Sequence, residues 1–287
     1  MTDNAFDFEG KRDIAWCPGC GDFAIRNALL GALKELGIER EKLVMVSGIG
    51  QAAKMPQYVN SSFFNGLHGR SLPVATAIKA VAPDLTVIAE GGDGDMYGEG
   101  GNHFLHACRR NPDMTIFVHD NMIYGLTKGQ AAPTTRVGTN TPVQVFGVVT
   151  EPINPMALAI AMKVGFVARA LSGDIPGTKE LMKRAILHKG LSLVDIFQPC
   201  VSFNKVNTLQ WFKANTYALP ADYDPSDRGA AFAKALEEQP FPLGVLYESP
   251  ERASFEESSP AYREDKRPLR ERSRDPERLK AAILEKR

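Results

Sequence analysis

The chain lacks an excess of charge of either sign. Its 287 residues include 34 Lys and Arg against 34 Asp and Glu, so the formal net charge is zero. A protein that binds a polyanion usually carries a surplus of basic residues, because contacts with phosphates dominate the affinity. We therefore expect neither nucleic acid nor a membrane surface among its partners.

The sequence also lacks long apolar runs, an export signal and a dense set of cysteines. No apolar segment approaches the roughly 20 residues that a membrane-spanning helix needs. The opening residues show no basic region followed by an apolar stretch, so we expect no signal peptide. Four cysteines in a chain of this length do not form a disulfide scaffold. We expect reduced thiols and a cytoplasmic location.

Short apolar, β-prone runs alternate with helix-like stretches over most of the chain. The first helix is predicted over residues 22–36, with Asp22 as its N-cap and Gly37 as its stop. The strand candidates are residues 43–46, 85–89, 114–118, 166–171 and 193–197, and the helix candidates between them are residues 102–110, 155–163 and 179–188. This alternation predicts an α/β fold with a mostly parallel sheet and helices on both faces.

The alternation weakens after residue 205. Residues 209–217 and 228–237 predict two more helices, and residues 241–247 predict a late strand. Residues 250–287 are rich in Arg, Glu, Pro and Ser, with a last helix predicted over 277–284. We therefore divide the chain into an α/β domain, residues 1–205, and a C-terminal extension or arm, residues 206–287.

An aspartate flanked by glycines directly follows the second strand candidate, in Gly91-Gly92-Asp93-Gly94. Glycine lets the backbone approach a ligand closely, and a following helix offers free N–H groups to an anion. A carboxylate here would repel a phosphate unless a cation lies between them, and Mg²⁺ is commonly held by one or two carboxylates plus phosphate oxygens. Asn121 follows the next strand candidate, at the same edge of a parallel sheet. Asp93 and Asn121 therefore predict a magnesium diphosphate site.

A nicotinamide-binding fold is the main competitor for this segment. It requires Gly-x-Gly-x-x-Gly after a strand and an acidic residue about 20 positions further on. Gly92-Asp93-Gly94 does not fit that spacing, and Asp93 would stand where the pyrophosphate should be. The segment therefore favours a metal-bridged diphosphate.

Cys17 and Cys20 form a Cys-x-x-Cys loop just before the first helix, for which a redox dithiol, zinc and an iron–sulfur cluster compete. A thioredoxin-type dithiol would follow a strand, and none is evident before Cys17. Zinc would need two more Cys or His at local spacing, whereas a cluster can take thiolates from distant loops. Cys200 follows a strand candidate and is a credible third ligand. Cys108 lies within a predicted helix and is expected to be a buried structural thiol.

Five motifs follow one another in residues 10–205. They are Trp16-Cys-Pro-Gly-Cys-Gly-Asp-Phe23, Val46-Ser-Gly-Ile-Gly50, Leu67-His-Gly-Arg-Ser-Leu-Pro-Val-Ala-Thr76, Gly91-Gly-Asp-Gly-Asp95 and Asp120-Asn-Met-Ile-Tyr-Gly-Leu-Thr-Lys-Gly-Gln130. In type and order they resemble the β subunit of 2-oxoacid:ferredoxin oxidoreductases, and most of all that of 2-oxoglutarate:ferredoxin oxidoreductase (2-oxoglutarate synthase). The resemblance implies a thiamine diphosphate (TPP) fold.

The resemblance also implies roles for individual residues. Asp93, the Asn121 side chain and the Ile123 carbonyl would bind Mg²⁺. The other residues implied at the cofactor are Gly50, His68, Gly69, Arg70, Gly92, Gly94, Gly125, Leu126 and Thr127. The residues implied at the substrate, with catalytic roles, are Lys54, His68 and Lys128, since a cation pairs with the distal carboxylate of a 2-oxo dicarboxylic acid.

The iron–sulfur site departs from the family at one position. Cys17, Cys20 and Cys200 match three thiolate ligands of a 4Fe–4S cluster, but Gln51 stands where the family has the fourth Cys. The fourth ligand could be a nearby carboxylate such as Asp22, or water. A labile cluster, or none, is equally compatible with the sequence.

The implied enzyme oxidatively decarboxylates a 2-oxoacid, with 2-oxoglutarate the best candidate, and uses coenzyme A to give an acyl-CoA, CO₂ and reduced ferredoxin. The reverse reaction fixes CO₂, as in a reductive tricarboxylic acid cycle. The implied partners are ferredoxin and an α subunit, in an (αβ)₂ assembly without which this chain is inactive. A non-oxidative TPP-dependent decarboxylase or carboligase is an alternative that gives the cysteines no role. A zinc-stapled interaction protein is another.

Overall fold

The structure, a computed structural model, describes residues 4–8, 13–249, 252–273 and 275–286. Its strands are β1 Leu43–Ser47, β2 Ser62–Asn65, β3 Thr86–Gly92, β4 Thr115–Asp120, β5 Phe166–Leu171, β6 Ser192–Phe197, β7 Thr216–Ala218 and β8 Phe241–Glu248. They form one 8-stranded sheet in the order β2-β1-β3-β4-β6-β5-β8-β7. All neighbouring strands are parallel except β5 and β8. The predicted mostly parallel sheet is confirmed.

Helices cover both faces of this sheet. They are α1 Asp22–Glu35, α2 Ser71–Val81, α3 Gly101–Arg110, α4 Pro155–Ala161, α5 Ile175–Leu187, α6 Leu209–Ala214, α7 Arg228–Ala235, α8 Phe255–Ser258 and α9 Pro276–Leu284. One core cluster joins the sheet to α2, α3, α4 and α7, and another joins it to α1 and α5. In β3, Val87 and Ala89 belong to the first cluster and Ile88 to the second. Burial on both faces explains why the strands read as continuous apolar runs.

The N-terminus of α1 differs from the prediction. The N-cap is Gly21 and no side chain caps the helix, so Asp22 is its first residue instead of its cap. The Asp22 side chain is instead fully buried and contacts His119 of β4. This ion pair forms only when α1 packs on the sheet, so the local sequence does not reveal it. The predicted stop is confirmed, since Gly37 adopts a left-handed φ of +62°.

The helix predicted over residues 209–217 was too long. The helix α6 ends at Ala214, and Thr216–Ala218 forms β7. Residues 216–218 form a strand because they pair with β8. A local sequence pattern does not reveal a partner that lies so far along the chain. The sequence pattern also missed β2 and α2.

The segment after residue 205 contributes to the sheet, because β8 pairs antiparallel with β5. Beyond it, the described residues form α8, two short 3₁₀ turns and α9, and no residue of α9 is buried. Residues 250, 251, 274 and 287 of the predicted extension lie outside the described residues, and the domain division at residue 205 stays a prediction. None of the helices seen in the described ranges has the length and apolar character needed to cross a bilayer.

Candidate functional site

A cavity lies at the carboxyl ends of β3, β4 and β6, between the loops that follow them and the loop before α1. Most of the predicted site residues line it, namely Cys17, Cys20, Gly50, His68, Gly92, Asp93, Gly94, Asn121, Ile123, Gly125, Leu126, Thr127 and Cys200. Four others lie one or two positions along the chain from lining residues without lining the cavity themselves, namely Lys54, Gly69, Arg70 and Lys128. The fold therefore brings the predicted magnesium and thiol residues to one place. Their roles stay predictions.

Asp93 is 2% exposed and shares a hydroxyl with a second buried acid. The Thr134 Oγ1 lies 2.5 Å from an Asp93 oxygen and 3.0 Å from an Asp120 oxygen. The single hydroxyl proton can be donated to only one of these two carboxyl groups at a time. Burial, with repulsion from Asp195 and Asp93, holds the pKa of Asp120 well above its ordinary range. Thr134 is a site residue that the sequence pattern missed.

Burial also raises the pKa of Asp93 to about 7, with the charge of Asp195 acting in the same direction. A carboxylate in this position is costly in the absence of a cation, and a bound divalent ion reverses that balance. On the neighbouring strand end, the Asn121 Oδ1 accepts the Ile123 N–H at 3.0 Å, which fixes the amide and leaves it a second lone pair. These groups fit Mg²⁺.

No three His, Cys, Asp or Glu side chains among the described residues lie close enough together to hold a metal ion. A magnesium site does not require such a group, because one carboxylate, neutral oxygens and phosphate oxygens complete its shell. A zinc site of the structural kind does require one, since it takes four Cys, His or acidic ligands. The described residues therefore fit a magnesium diphosphate better than zinc.

The glycine at position 94 is required by the protein itself. A Cβ there would lie 2.2 Å from the ring of Tyr124, so the turn after β3 passes directly under this side chain. The sequence predicts that these glycines allow the close approach of a ligand, whereas at Gly94 the group that approaches closely is the Tyr124 side chain. Gly50 is different, because it adopts a φ of +126° with nothing within 4 Å of an added Cβ.

Asp95 ties three of the motifs together. Its Oδ1 accepts the N–H groups of Ile49 at 3.1 Å and Gly69 at 2.8 Å, and lies 2.9 Å from the Nδ1 of His68. Through these contacts, Asp95 in the turn after β3 holds the loop after β1 and the loop before α2 in place. Asp95 is the second Asp of Gly-Asp-Gly-Asp, so the motif contains this residue, but the sequence alone did not indicate its role.

A buried array of charged groups links the sheet to the cysteine loop. His119 lies 2.7 Å from Asp22 and 2.8 Å from Glu90, and all three are fully buried. Burial opposes the charged imidazole, but the hydrogen bonds with Asp22 and Glu90 prevail and raise the pKa of His119 to about 10. The second oxygen of Asp22 accepts from the Cys20 thiol at 3.3 Å.

The thiols of Cys17, Cys20 and Cys200 line the same cavity. Cys17 accepts a hydrogen bond from the Ser202 hydroxyl at 3.1 Å, while burial, followed by repulsion from Asp22, raises the pKa of Cys20. An iron–sulfur cluster spreads its thiolates over several irons, so its ligands need not converge on one ion. Two thiols from the loop before α1 and one from the loop after β6, around one cavity, fit such a cluster. Cys108 is fully buried in the core, and its predicted burial is confirmed.

Comparison with protein families gives two matches. The model for the C-terminal TPP-binding domain of thiamine pyrophosphate enzymes matches residues 44–196. The model for the C-terminal part of the pyruvate ferredoxin oxidoreductase beta subunit matches residues 200–264.

Individual relatives agree with these matches. The 2-oxoacid:ferredoxin oxidoreductase 2, subunit beta, of Aeropyrum pernix is 42% identical over 269 residues, covering 90% of this chain and 87% of that protein. The 2-oxoglutarate oxidoreductase subunit KorB of Mycobacterium tuberculosis is 43% identical over 198 residues, covering 69% of this chain and 53% of that protein.

A solved structure is also similar. It is the 2-oxoglutarate:ferredoxin oxidoreductase from Magnetococcus marinus with 2-oxoglutarate, coenzyme A and succinyl-CoA bound, with a TM-score of 0.89 and 36% identity over 96% of this chain and 94% of that one. The resemblance noted in the motifs is confirmed, and the chain belongs to the family of 2-oxoacid:ferredoxin oxidoreductase β subunits.

Proposed function

We propose that this chain is the TPP- and iron–sulfur-binding subunit of a cytoplasmic 2-oxoacid:ferredoxin oxidoreductase. The enzyme converts a 2-oxoacid and coenzyme A to an acyl-CoA and CO₂ and passes the electrons to ferredoxin, or runs in the CO₂-fixing direction. One observation carries the proposal. The Asp93 and Asn121 side chains at adjacent strand ends share a cavity with three thiols, and only a TPP enzyme that also transfers electrons needs both sets.

In this proposal Asp93, Asn121 and the Ile123 carbonyl would hold Mg²⁺, which would neutralise the charge of a diphosphate. TPP, when bound, supplies the group that stabilises the carbanion left by decarboxylation. The chain positions the cofactor through the turn after β3 and the loop at residues 125–127. Asp95 keeps the neighbouring loops in place by accepting two backbone N–H groups.

An α subunit completes the site, in an (αβ)₂ assembly. The cavity of this chain has a volume of about 100 Å³, below the roughly 300 Å³ at which ligand pockets begin. Ile49, Leu126 and Phe203 line it and are nevertheless exposed. Apolar side chains exposed around a site are typical of a surface that a partner covers.

We propose 2-oxoglutarate as the substrate, since the relative from Magnetococcus marinus was solved with 2-oxoglutarate bound. His68 lines the cavity, and Lys54, Arg70 and Lys128 lie one or two residues beyond lining residues. In this proposal these cations reach the substrate, and they favour a 2-oxoacid with two carboxylates. A substrate with one carboxylate would leave part of this positive charge without a partner.

The alternatives explain less. A non-oxidative TPP enzyme accounts for Asp93 and Asn121 but not for three thiols in the same cavity. A zinc-stapled interaction protein needs a group of metal ligands that the described residues do not form. Neither alternative is favoured by a specific observation.

The test uses the αβ complex, purified without oxygen. Wild type is expected to contain TPP, magnesium and iron and to reduce a viologen dye with coenzyme A and one of a panel of 2-oxoacids, 2-oxoglutarate best. Asp93→Ala should lose TPP and turnover, while the control Asp222→Ala, at an exposed aspartate far along the chain, should keep both. Full TPP affinity and turnover in Asp93→Ala would refute the site.

A further inference from the structure

The number of thiols that reach the cavity is smaller than a fully thiolate-bound cluster needs. The chain contains four cysteines, and one of them, Cys108, is fully buried in the core that α3 forms with the sheet. Only Cys17, Cys20 and Cys200 line the cavity. A 4Fe–4S cluster held by cysteine alone takes four thiolates, so this chain leaves one iron without a thiolate.

Gln51 lies in the same cavity wall. Its backbone carbonyl accepts the Trp16 indole N–H at 2.8 Å, which ties it to the residue directly before Cys17. Its side-chain Oε1 is buried and has no hydrogen-bond partner. A buried acceptor without a partner is destabilising, so a donor is expected beside it in the functional state.

Asp22, the nearby carboxylate, is held in a buried ion pair. One oxygen of Asp22 contacts His119 and the other accepts from the Cys20 thiol. Both nitrogens of His119 are likewise occupied, by Asp22 and Glu90. The contact with His119 stays when Cys20 is a cluster thiolate, whereas the hydrogen bond from the thiol is lost; coordination of an iron by the second oxygen of Asp22 is therefore an outcome that the test must separate, as resistance of wild type to iron loss.

We propose that the cluster keeps one iron without a protein thiolate, and that this position lies at Gln51 and takes an exchangeable small ligand such as water. The ligand donates a hydrogen bond to the Gln51 Oε1 and so satisfies the orphaned acceptor. This inference rests on the proposed function, because it assumes the cluster. It adds an open coordination position inside the cavity that also contains the magnesium residues.

An iron without a thiolate is the one most easily removed by oxidation. With ferricyanide as the added oxidant, the oxidised 4Fe–4S cluster releases one Fe²⁺ and passes one electron to ferricyanide, leaving an oxidised 3Fe–4S cluster with its three thiolates. The product is paramagnetic, and the starting cluster is not, so electron paramagnetic resonance follows the conversion directly.

The experiment treats the αβ complex with ferricyanide and measures iron content and the 3Fe–4S signal. Wild type should lose about one iron of four per β chain, and Gln51→Cys, which restores a thiol at this position, should lose it at least tenfold more slowly. Gln51→Ser, with no thiol, should behave like wild type. The control Gln57→Cys adds a thiol to the 3₁₀ helix Ala52–Tyr58, which begins directly after Gln51, and should also behave like wild type.

The outcomes of this experiment distinguish a failure of the open iron position from a failure of the proposed function. Full iron in wild type, with the same resistance as Gln51→Cys, would overturn the open position and point to a strong ligand from elsewhere, such as the α subunit. Iron absent from wild type and from Gln51→Cys would overturn the cluster itself. Iron retained only in Gln51→Cys would support the open position, because the cluster then depends on the added thiol.

Discussion

Replacing Asp93 by asparagine should stabilise the metal-free chain at high pH while abolishing its binding of Mg²⁺ and TPP. The carboxyl group is buried beside Asp120 and Asp195, and its pKa lies at about 7 instead of the ordinary 3.8. The folded chain therefore holds this proton more tightly than the unfolded chain. Between pH of about 4 and about 7, the stability of the metal-free chain should fall as pH rises.

The magnitude follows from that difference. Each pKa unit corresponds to about 1.4 kcal/mol, so ionising Asp93 in the folded, metal-free chain costs on the order of 4 kcal/mol. Asparagine keeps an oxygen to accept from Thr134 and carries no charge, but its buried amide N–H₂ lacks a partner, at about 1–3 kcal/mol. The variant should therefore be less stable than wild type at pH 4 and more stable at pH 8.

The assay is urea unfolding of the chain in chelator at both pH values. The difference in unfolding free energy between variant and wild type should move by about 4 kcal/mol in favour of the variant from pH 4 to pH 8. Adding Mg²⁺ and TPP should stabilise wild type, by about 2.7 kcal/mol at a hundredfold excess over the dissociation constant, and leave the variant unchanged. A variant effect independent of pH, or an equal gain from the ligands, would refute the reasoning.

Three further outcomes are expected. A methyl group on Gly94 would lie 2.2 Å from the Tyr124 ring, so Gly94→Ala should weaken the binding of TPP and Mg²⁺, measured by calorimetry, at least tenfold. The control Gly101→Ala, whose Cβ meets nothing within 4 Å, should bind normally. Equal binding by the two variants would contradict the close approach. Thr134→Val removes the hydroxyl between two buried carboxyl groups and should lower the unfolding free energy by about 1–3 kcal/mol in urea, and an unchanged value would argue against the bridge. Binding of Mg²⁺ and TPP should release a proton from Asp93, so the affinity should rise with pH up to about 7 and then level off. Calorimetry in two buffers of different ionisation enthalpy measures the number of protons released. Proton uptake on binding would be inconsistent with this prediction.

The sequence by itself determined the central parallel strands of the sheet and the place of the site. Burial on both faces makes the parallel strands continuous apolar runs, and the ends of adjacent parallel strands meet at one edge, so Asp93 and Asn121 could be brought together without coordinates. Cys200 could be assigned to the same edge for the same reason, whereas the loop of Cys17 and Cys20 follows no strand and was linked to the site only through its motif. Local chemistry and strand direction were sufficient because neither depends on exact side-chain packing.

Only the tertiary structure decided which partners the buried groups have. Asp22 has the local signature of a helix cap, yet it pairs with His119 across the α1–sheet contact. Thr134 lies in a loop without a motif, yet its hydroxyl stands between Asp93 and Asp120. A buried polar group must find a partner wherever the fold offers one, and contacts between residues far apart in the chain are set by packing, which no local pattern encodes.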